Sequence, residues 1–165
     1  MNWLRSTFAN LTVRDQRTRT LLRYPHFYHL TPRENVESIL SNGLDPERCA
    51  QPNVHGPYQS NFVCLTTECG IDSIFTQKDD GMGGLPDLAL IEVPSFALTG
   101  LTFDADQTHV PIRHAVSGDE FCSAEELPSI LSCWYYIVVL DKVGPKHIRK
   151  IDIQPFLSAY NARRA

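Results

Sequence analysis

The chain has little that would place it in a membrane or route it for export. It contains no run of about 18 apolar residues, the minimum for a membrane-spanning helix. Its first residues, Met1-Asn2-Trp3-Leu4-Arg5, lack the apolar core of a secretory signal. We therefore expect a soluble chain, which a signal of another kind could still deliver into a host or target cell.

Metal-binding and phosphate-binding motifs are also missing. The five cysteines are odd in number and form no Cys-x-x-Cys pair, which argues against a disulfide framework or a zinc knuckle and favours the reducing cytosol. His109 and His114 would have ligand spacing only on a helix, and Pro111 between them argues against one. The loop at residues 81–84 lacks the Lys-Ser/Thr of a P-loop. We expect no metal and no P-loop nucleotide site.

Charge is unevenly distributed along the chain. Residues 1–25 carry five arginines and one aspartate, whereas residues 68–128 carry twelve acids against two bases. Residues 141–165 are basic again, with six bases and two acids. This pattern indicates either a polar partner for the basic ends or simply a solvated basic helix. We divide the chain into a basic helical segment, 1–25, and a single domain, 26–165.

The order of short apolar runs and helical segments predicts an α+β fold with two packed sheets flanked by helices. Strands are expected at 27–30, 62–66, 88–93, 101–103, 134–140 and 148–153. Helices are expected at 1–24, 32–42, 71–77 and 123–132. Residues 45–61 are predicted to form a long loop, and loops of that length are often functional.

The most informative stretch is Phe27-Tyr28-His29-Leu30-Thr31. On a strand, His29 and Thr31 point to the same side. Two polar groups on an otherwise apolar strand are costly unless something binds them. A predicted helix follows, with Thr31 as its cap, Pro32 at its first position and Gly43 at its end. A ligand with neighbouring hydroxyls would suit the His-Thr pair.

These residues resemble the opening of ADP-ribosyltransferase-like domains, whose first motif is His-x-Thr on the first strand. Diphtheria-toxin-type transferases, DarT-like toxins and RNA 2′-phosphotransferases share the pattern. The run Phe62-Val63-Cys64-Leu65-Thr66-Thr67 fits the second motif of the family, and the likeness extends over residues 26–153. It implies a split pair of small antiparallel β-sheets flanked by helices, with NAD as a substrate.

The resemblance also implies roles for individual side chains. His29 would hydrogen-bond the ribose beside the adenine, the Leu30 backbone would hold the nicotinamide amide, and Thr31 would support the same region. Phe75 or Tyr58 would stack on nicotinamide, and an arginine suits the pyrophosphate. The predicted NAD-binding residues are His29, Leu30, Thr31, Gly43, Arg48, Tyr58, Thr66 and Phe75.

Several of these assignments have an ordinary structural alternative, beginning with His29, since a single His on a strand can be purely structural. Thr31 can serve only as a helix cap, and Phe75 can be a core residue. Arg48 can be a simple surface residue. The loop at 45–61 is expected to cover the ligand, because it lies between the two best-matched strands.

The chain departs from the family at the third motif. The family carries a catalytic Glu on the strand that here reads Trp134 to Leu140, and this run contains none. Either a Glu from upstream supplies the role, with Glu126 preferred over Glu120, or the site binds a nucleotide without efficient turnover. Acids in the first turn of a helix also favour its dipole without any catalytic role.

The leading hypothesis is a toxin-like or effector-like mono-ADP-ribosyltransferase. Its acceptor would be a protein or a nucleic acid, and the acidic middle of the chain slightly favours protein. An RNA 2′-phosphotransferase is a second hypothesis, in which Arg48 and His55 would make part of the phosphate contacts. The third is a degenerate module that binds NAD or ADP-ribose without turning it over.

Overall fold

A computed structural model describes residues 16–48, 62–78, 87–105 and 125–163. The strands formed by these residues are β1 (His26–Pro32), β2 (Val63–Thr66), β3 (Leu88–Pro94), β4 (Phe103–Ala105), β5 (Tyr136–Val139) and β6 (Arg149–Ile151). The helices are α1 (16–21 in its described part), α2 (Val36–Asn42), α3 (Glu68–Lys78), α4 (Leu127–Trp134) and α5 (Gln154–Ala162). Short 3-10 turns lie at Arg33–Asn35, Pro46–Arg48, Ser95–Leu98 and Pro145–His147.

The strands form one antiparallel sheet in the order β4-β5-β2-β1-β3-β6. β1 pairs with β3 along its whole length, from His26 to Pro32. Between β1 and β2, by contrast, the only paired position is Tyr28 opposite Thr66. We call this line between β1 and β2 the seam. It nearly divides the sheet into two three-stranded halves, β4-β5-β2 and β1-β3-β6.

The α+β class predicted from the sequence is therefore confirmed. The expectation of two packed sheets needs correction, because the two halves lie in one sheet and meet edge to edge at the seam. A sheet joined by one residue pair at its centre still resembles a split pair of antiparallel sheets. The difference is that a backbone link survives at Tyr28.

Side chains alternate between two faces of the sheet, and each face is covered by helices. We call the side that carries Phe27 and His29 the front face. Phe27 and Leu65 share one buried cluster there with Leu21 of α1 and Leu127 of α4. A smaller cluster joins α2 to β3 on this face. The described end of the basic segment 1–25 thus packs into the same core as the domain.

The opposite side, the back face, is covered by α3 and α5. Tyr28 and Leu90 of the sheet pack there with Ile71 and Phe75 of α3 and with Tyr160 of α5. Each such side chain, when fully buried, stabilises the fold by roughly 1.5–3 kcal/mol. The front-face cluster contains side chains of both halves of the sheet, so it holds them together although the seam itself has almost no ladder.

The helix after β1, α2, begins later than the sequence indicated. β1 continues to Pro32, because Thr31 and Pro32 still pair with β3. A 3-10 turn at Arg33–Asn35 follows, and α2 begins only at Val36. Pro32 occupies the cap position and no side chain caps the turn. The prediction of Thr31 as a helix cap is therefore wrong, whereas the predicted helix end at Gly43 is confirmed.

Two further boundaries differ near the C-terminal end. The predicted strand 134–140 shortens to Tyr136–Val139, because α4 extends to Trp134 and Tyr135 then takes a left-handed conformation with φ 67°. The helix α5 was not predicted. Its signals were present in the sequence, since Pro155 lies in the first turn and Asp152 accepts a hydrogen bond from the backbone N–H of Gln154 at 3.0 Å.

Gly43→Ala should destabilise the fold. Gly43 has φ 87°, and a Cβ there would lie 2.2 Å from the carbonyl oxygen of Val143. We expect a loss of about 2 kcal/mol or more in the free energy of unfolding, measured by chemical denaturation. Gly144→Ala is the matched control, because Gly144 has φ −64° and a Cβ there would come no closer than 4.0 Å to another side chain, at Cδ2 of His147. Equal stability of the two variants would contradict this account of the turn.

Candidate functional site at the seam

His29 bridges the seam with its side chain. One residue past the Tyr28–Thr66 pair, the imidazole Nδ1 lies 3.0 Å from the carbonyl oxygen of Cys64 on β2. β1 residues 29–32 have no paired residue on β2. A side-chain hydrogen bond therefore stands where a backbone ladder would otherwise continue. The ring occupies the point at which the two halves of the sheet begin to part.

The hydrogen bond fixes the chemical state of His29. A carbonyl oxygen only accepts, so Nδ1 must carry the proton and donate. Burial lowers the pKa of His29 below its ordinary value of 6.5, and the Cys64 carbonyl opposes this only in part. The ring is therefore neutral at pH 7, and Nε2 presents a lone pair. This nitrogen can accept a hydrogen bond, and the residue as a whole is partly exposed.

Thr31 lies two residues further along the same strand and on the same face, as the sequence predicted. Its side chain is buried, and its hydroxyl oxygen accepts a hydrogen bond from Nδ2 of Asn35 at 3.4 Å. Thr31 therefore connects the end of β1 to the turn that leads into α2. Leu30 lies between these two residues, and its side chain packs on the back face. Only the Leu30 backbone shares the seam with His29.

Two of the predicted NAD-binding residues are occupied within the fold. The ring of Phe75 is 0% exposed and contacts the ring of Tyr160 edge-on at 5.5 Å. It lies on the back face, so the prediction of a stacking ring is wrong and the core alternative is correct. The hydroxyl of Thr66 donates to the carbonyl of Tyr135 at 3.1 Å and is also buried on the back face. It has a structural role there.

The other predicted NAD-binding residues are dispersed. Gly43 forms the turn after α2 and packs against Val143 and Pro145. Arg48 is exposed at the end of a 3-10 turn and makes no ion pair with another described residue. Tyr58 and most of the loop 45–61 lie outside the described residues, so the expected lid stays a prediction.

Of the two candidate catalytic acids, the structure describes Glu126 and not Glu120. Glu126 precedes α4, and its carbonyl accepts a hydrogen bond from the N–H of Ile130 at 3.0 Å. Because Leu127 packs in the front-face cluster, α4 begins on the same side of the sheet as His29. Glu120 lies outside the described residues. β5 carries no carboxylate in its sequence, Tyr136–Val139, as expected.

Sequence reasoning missed Glu92, a buried carboxylate in the middle of β3. It is 7% exposed, and its Oε1 lies 2.6 Å from Nε of Arg149 and 3.6 Å from Nε2 of His26. A Glu inside the apolar run Leu88 to Pro94 was the available signal. Glu92 pairs with Tyr28 and so lies on the back face, away from the ring of His29. Its role is to anchor β6 to β3.

The described residues hold no group of three or more acids, histidines and cysteines that could bind a metal ion. None of the helices in this part of the chain is long and apolar enough to cross a membrane.

Comparisons with known proteins give structural likenesses and no match by sequence. No family model and no curated protein matches the chain. The solved structure of EcPltA aligns with a TM-score of 0.45 and 18% identity, covering 82% of this chain and 80% of that one. A likeness at this level carries no functional conclusion. The site has to be judged from its own geometry.

The lowered pKa of His29 predicts a pH-dependent stability. The unfolded chain takes up a proton near pH 6.5, whereas the folded protein resists it. Stability is therefore full above about pH 6.5 and falls as the pH drops toward the lower folded-state pKa. His29→Asn removes the titration and retains a donor for the Cys64 carbonyl.

We expect the unfolding midpoint of the wild type to fall more steeply between about pH 7.5 and pH 5 than that of His29→Asn. Circular dichroism melts at each pH make the comparison. Parallel pH profiles for the two proteins would show that His29 does not titrate differently in the folded state.

Proposed function

We propose that the protein is an NAD-dependent mono-ADP-ribosyltransferase whose site lies at the seam. The observation that supports this most directly is the state of His29. Its ring is neutral, its Nδ1 is held by the Cys64 carbonyl, and its Nε2 is left as an acceptor. A ribose hydroxyl can donate to that nitrogen without any rearrangement of the ring.

The seam would also provide the backbone contacts that a nicotinamide needs. In an antiparallel sheet every second residue directs its N–H and C=O toward the same neighbour. Past Tyr28, β1 has no paired residue on β2. Leu30 lies in this unpaired stretch, beside His29. A primary amide carries both a donor and an acceptor, so it matches the N–H and C=O of one residue.

Cleavage of the nicotinamide–ribose bond passes through an oxocarbenium-like sugar, as in other glycosidic reactions. A carboxylate near the sugar would stabilise that positive charge. Since β5 lacks one, we assign this role to an acid before α4, with Glu126 ahead of Glu120. The position of Glu126 on the front-face side supports the choice. The compact chain would suit a toxin or effector.

Two substitutions at His29 test the roles of its two ring nitrogens separately. His29→Asn retains a donor near the Nδ1 position but loses the acceptor at Nε2, whereas His29→Gln extends further and retains polarity near Nε2. We expect His29→Asn to melt close to the wild type and to lose about 2 kcal/mol of NAD binding, which is about 30-fold in Kd. Calorimetry measures the affinity. His29→Gln should recover part of it.

A folded His29→Asn protein with wild-type NAD affinity and turnover would remove His29 from the site. Loss of affinity together with a large loss of stability would not suffice as support. The melting temperature of each variant therefore accompanies each titration.

Removing the catalytic charge should slow turnover and leave binding intact. Glu126→Gln or Glu120→Gln should reduce nicotinamide release by about 100-fold, with little change in NAD affinity, because the lost interaction exists only in the transition state. Glu125→Gln is the matched control, one position from Glu126 and exposed. Wild-type release rates in both test variants would refute the placement of the acid.

A non-catalytic NAD-binding or ADP-ribose-binding module is the second candidate. The lack of a carboxylate on β5 favours it. NAD binding that depends on His29, with no nicotinamide release in any cell lysate, would select this function. Incubation with labelled NAD in a lysate also identifies the acceptor, because the label then appears in protein, in nucleic acid or in free ADP-ribose.

A further inference from the structure

Phe96 is the most exposed large apolar side chain of the described residues, at 60%. It lies in the 3-10 turn Ser95–Leu98, whose two terminal residues are buried. The turn is therefore anchored on both sides of the exposed ring. Because burial of an aromatic ring is favourable, its exposure on this anchored turn forgoes most of that stabilisation.

The ring is also fixed in direction. It contacts the imidazole of His147 at 5.9 Å between centroids, with the two planes nearly perpendicular at 88°. His147 ends the turn Pro145–His147, which precedes β6. This contact uses one side of Phe96 and leaves most of the ring to solvent.

Two exposed basic residues lie near Phe96 along the chain segments that contact its turn. Lys146 is exposed and adjoins His147 in the same turn. The segment 142–151 contains four bases and no acid. On the other side, the N–H of Ser95 bonds to the carbonyl of Pro25 at 3.1 Å, which brings exposed Arg23 to the same end of the sheet. We call Arg23, Phe96, Lys146 and His147 the Phe96 surface.

We propose that the Phe96 surface binds single-stranded nucleic acid. A base would stack on the exposed ring, and Arg23 and Lys146 would contact the neighbouring phosphates. Stacking on an aromatic ring combined with backbone charge contacts is the usual mode for single strands. An acidic protein segment would use the charges but would not need the ring. The proposal does not depend on NAD turnover, because binding is measured without NAD.

The test is fluorescence anisotropy of labelled single-stranded DNA and RNA 12-mers at several salt concentrations, without NAD. Two phosphate contacts predict a slope of about −1.4 in a plot of log K against log salt. Phe96→Ala should weaken binding at least about fivefold and keep that slope. Lys146→Gln should reduce the magnitude of the slope by about 0.7.

Arg33→Gln is the matched control. It also removes one exposed positive charge, but at the other end of β1. Arg33 directly follows Pro32, the last residue of β1, whereas Ser95 directly follows Pro94, which pairs with the first residue of β1. The seven-residue strand separates the two places by roughly 20 Å. Arg33→Gln should change neither affinity nor slope. If Arg33→Gln and Lys146→Gln weaken oligonucleotide binding equally, the binding depends only on the net charge of the protein, and the proposal is overturned.

Two other outcomes would also overturn it. Tight binding that is insensitive to Phe96→Ala, with polyglutamate competing as well as the oligonucleotides, would identify an acidic protein as the partner. Lack of oligonucleotide binding at low salt by a folded wild-type protein would show that the surface takes no nucleic acid.

Discussion

The hydrogen bond from His29 to the Cys64 carbonyl sets the character of the structure around it. β1 and β2 meet at one residue pair, and directly beyond it the imidazole spans the gap between them. The same bond determines which ring nitrogen is protonated and keeps the ring from rotating. This contact of 3.0 Å thus adds a side-chain link between the two halves beside the Tyr28–Thr66 pair, and it sets the orientation of the imidazole.

Several basic residues from the two ends of the sequence form ion pairs with acidic residues from its middle. Arg17 of α1 donates to the Phe103 carbonyl at 2.6 Å and lies 3.4 Å from Asp104, and Arg149 pairs with Glu92. Arg163, near the C-terminus, pairs with Asp72 of α3. Each pair joins a basic end of the chain to the acidic middle. The basic ends therefore help to fasten the sheet edges and helices, and Arg23 and Lys146 of the Phe96 surface lie outside these pairs.

Sequence patterns predicted what depends on local periodicity. The apolar runs of β2 and β3 and the helix stop at Gly43 were visible because each rests on residues within one element. The end of β1 could not be predicted in this way, because the strand continues through Pro32 only by pairing with β3. The pair His29 and Thr31 was identified from strand alternation alone. Its partner, the Cys64 carbonyl, comes from 35 residues further on and is a backbone atom, which no side-chain pattern can reveal.

Tyr135 sits between α4 and β5 in a left-handed conformation, and its carbonyl accepts hydrogen bonds from the Thr66 hydroxyl and the Thr67 N–H. The residue is thereby pinned to the end of β2, next to the seam. α4 extends from this point as a rigid arm of about 12 Å, and Glu126 lies at its far end. The left-handed conformation of this one residue therefore sets the direction of α4 relative to β5, and with it the place of Glu126 beside the sheet.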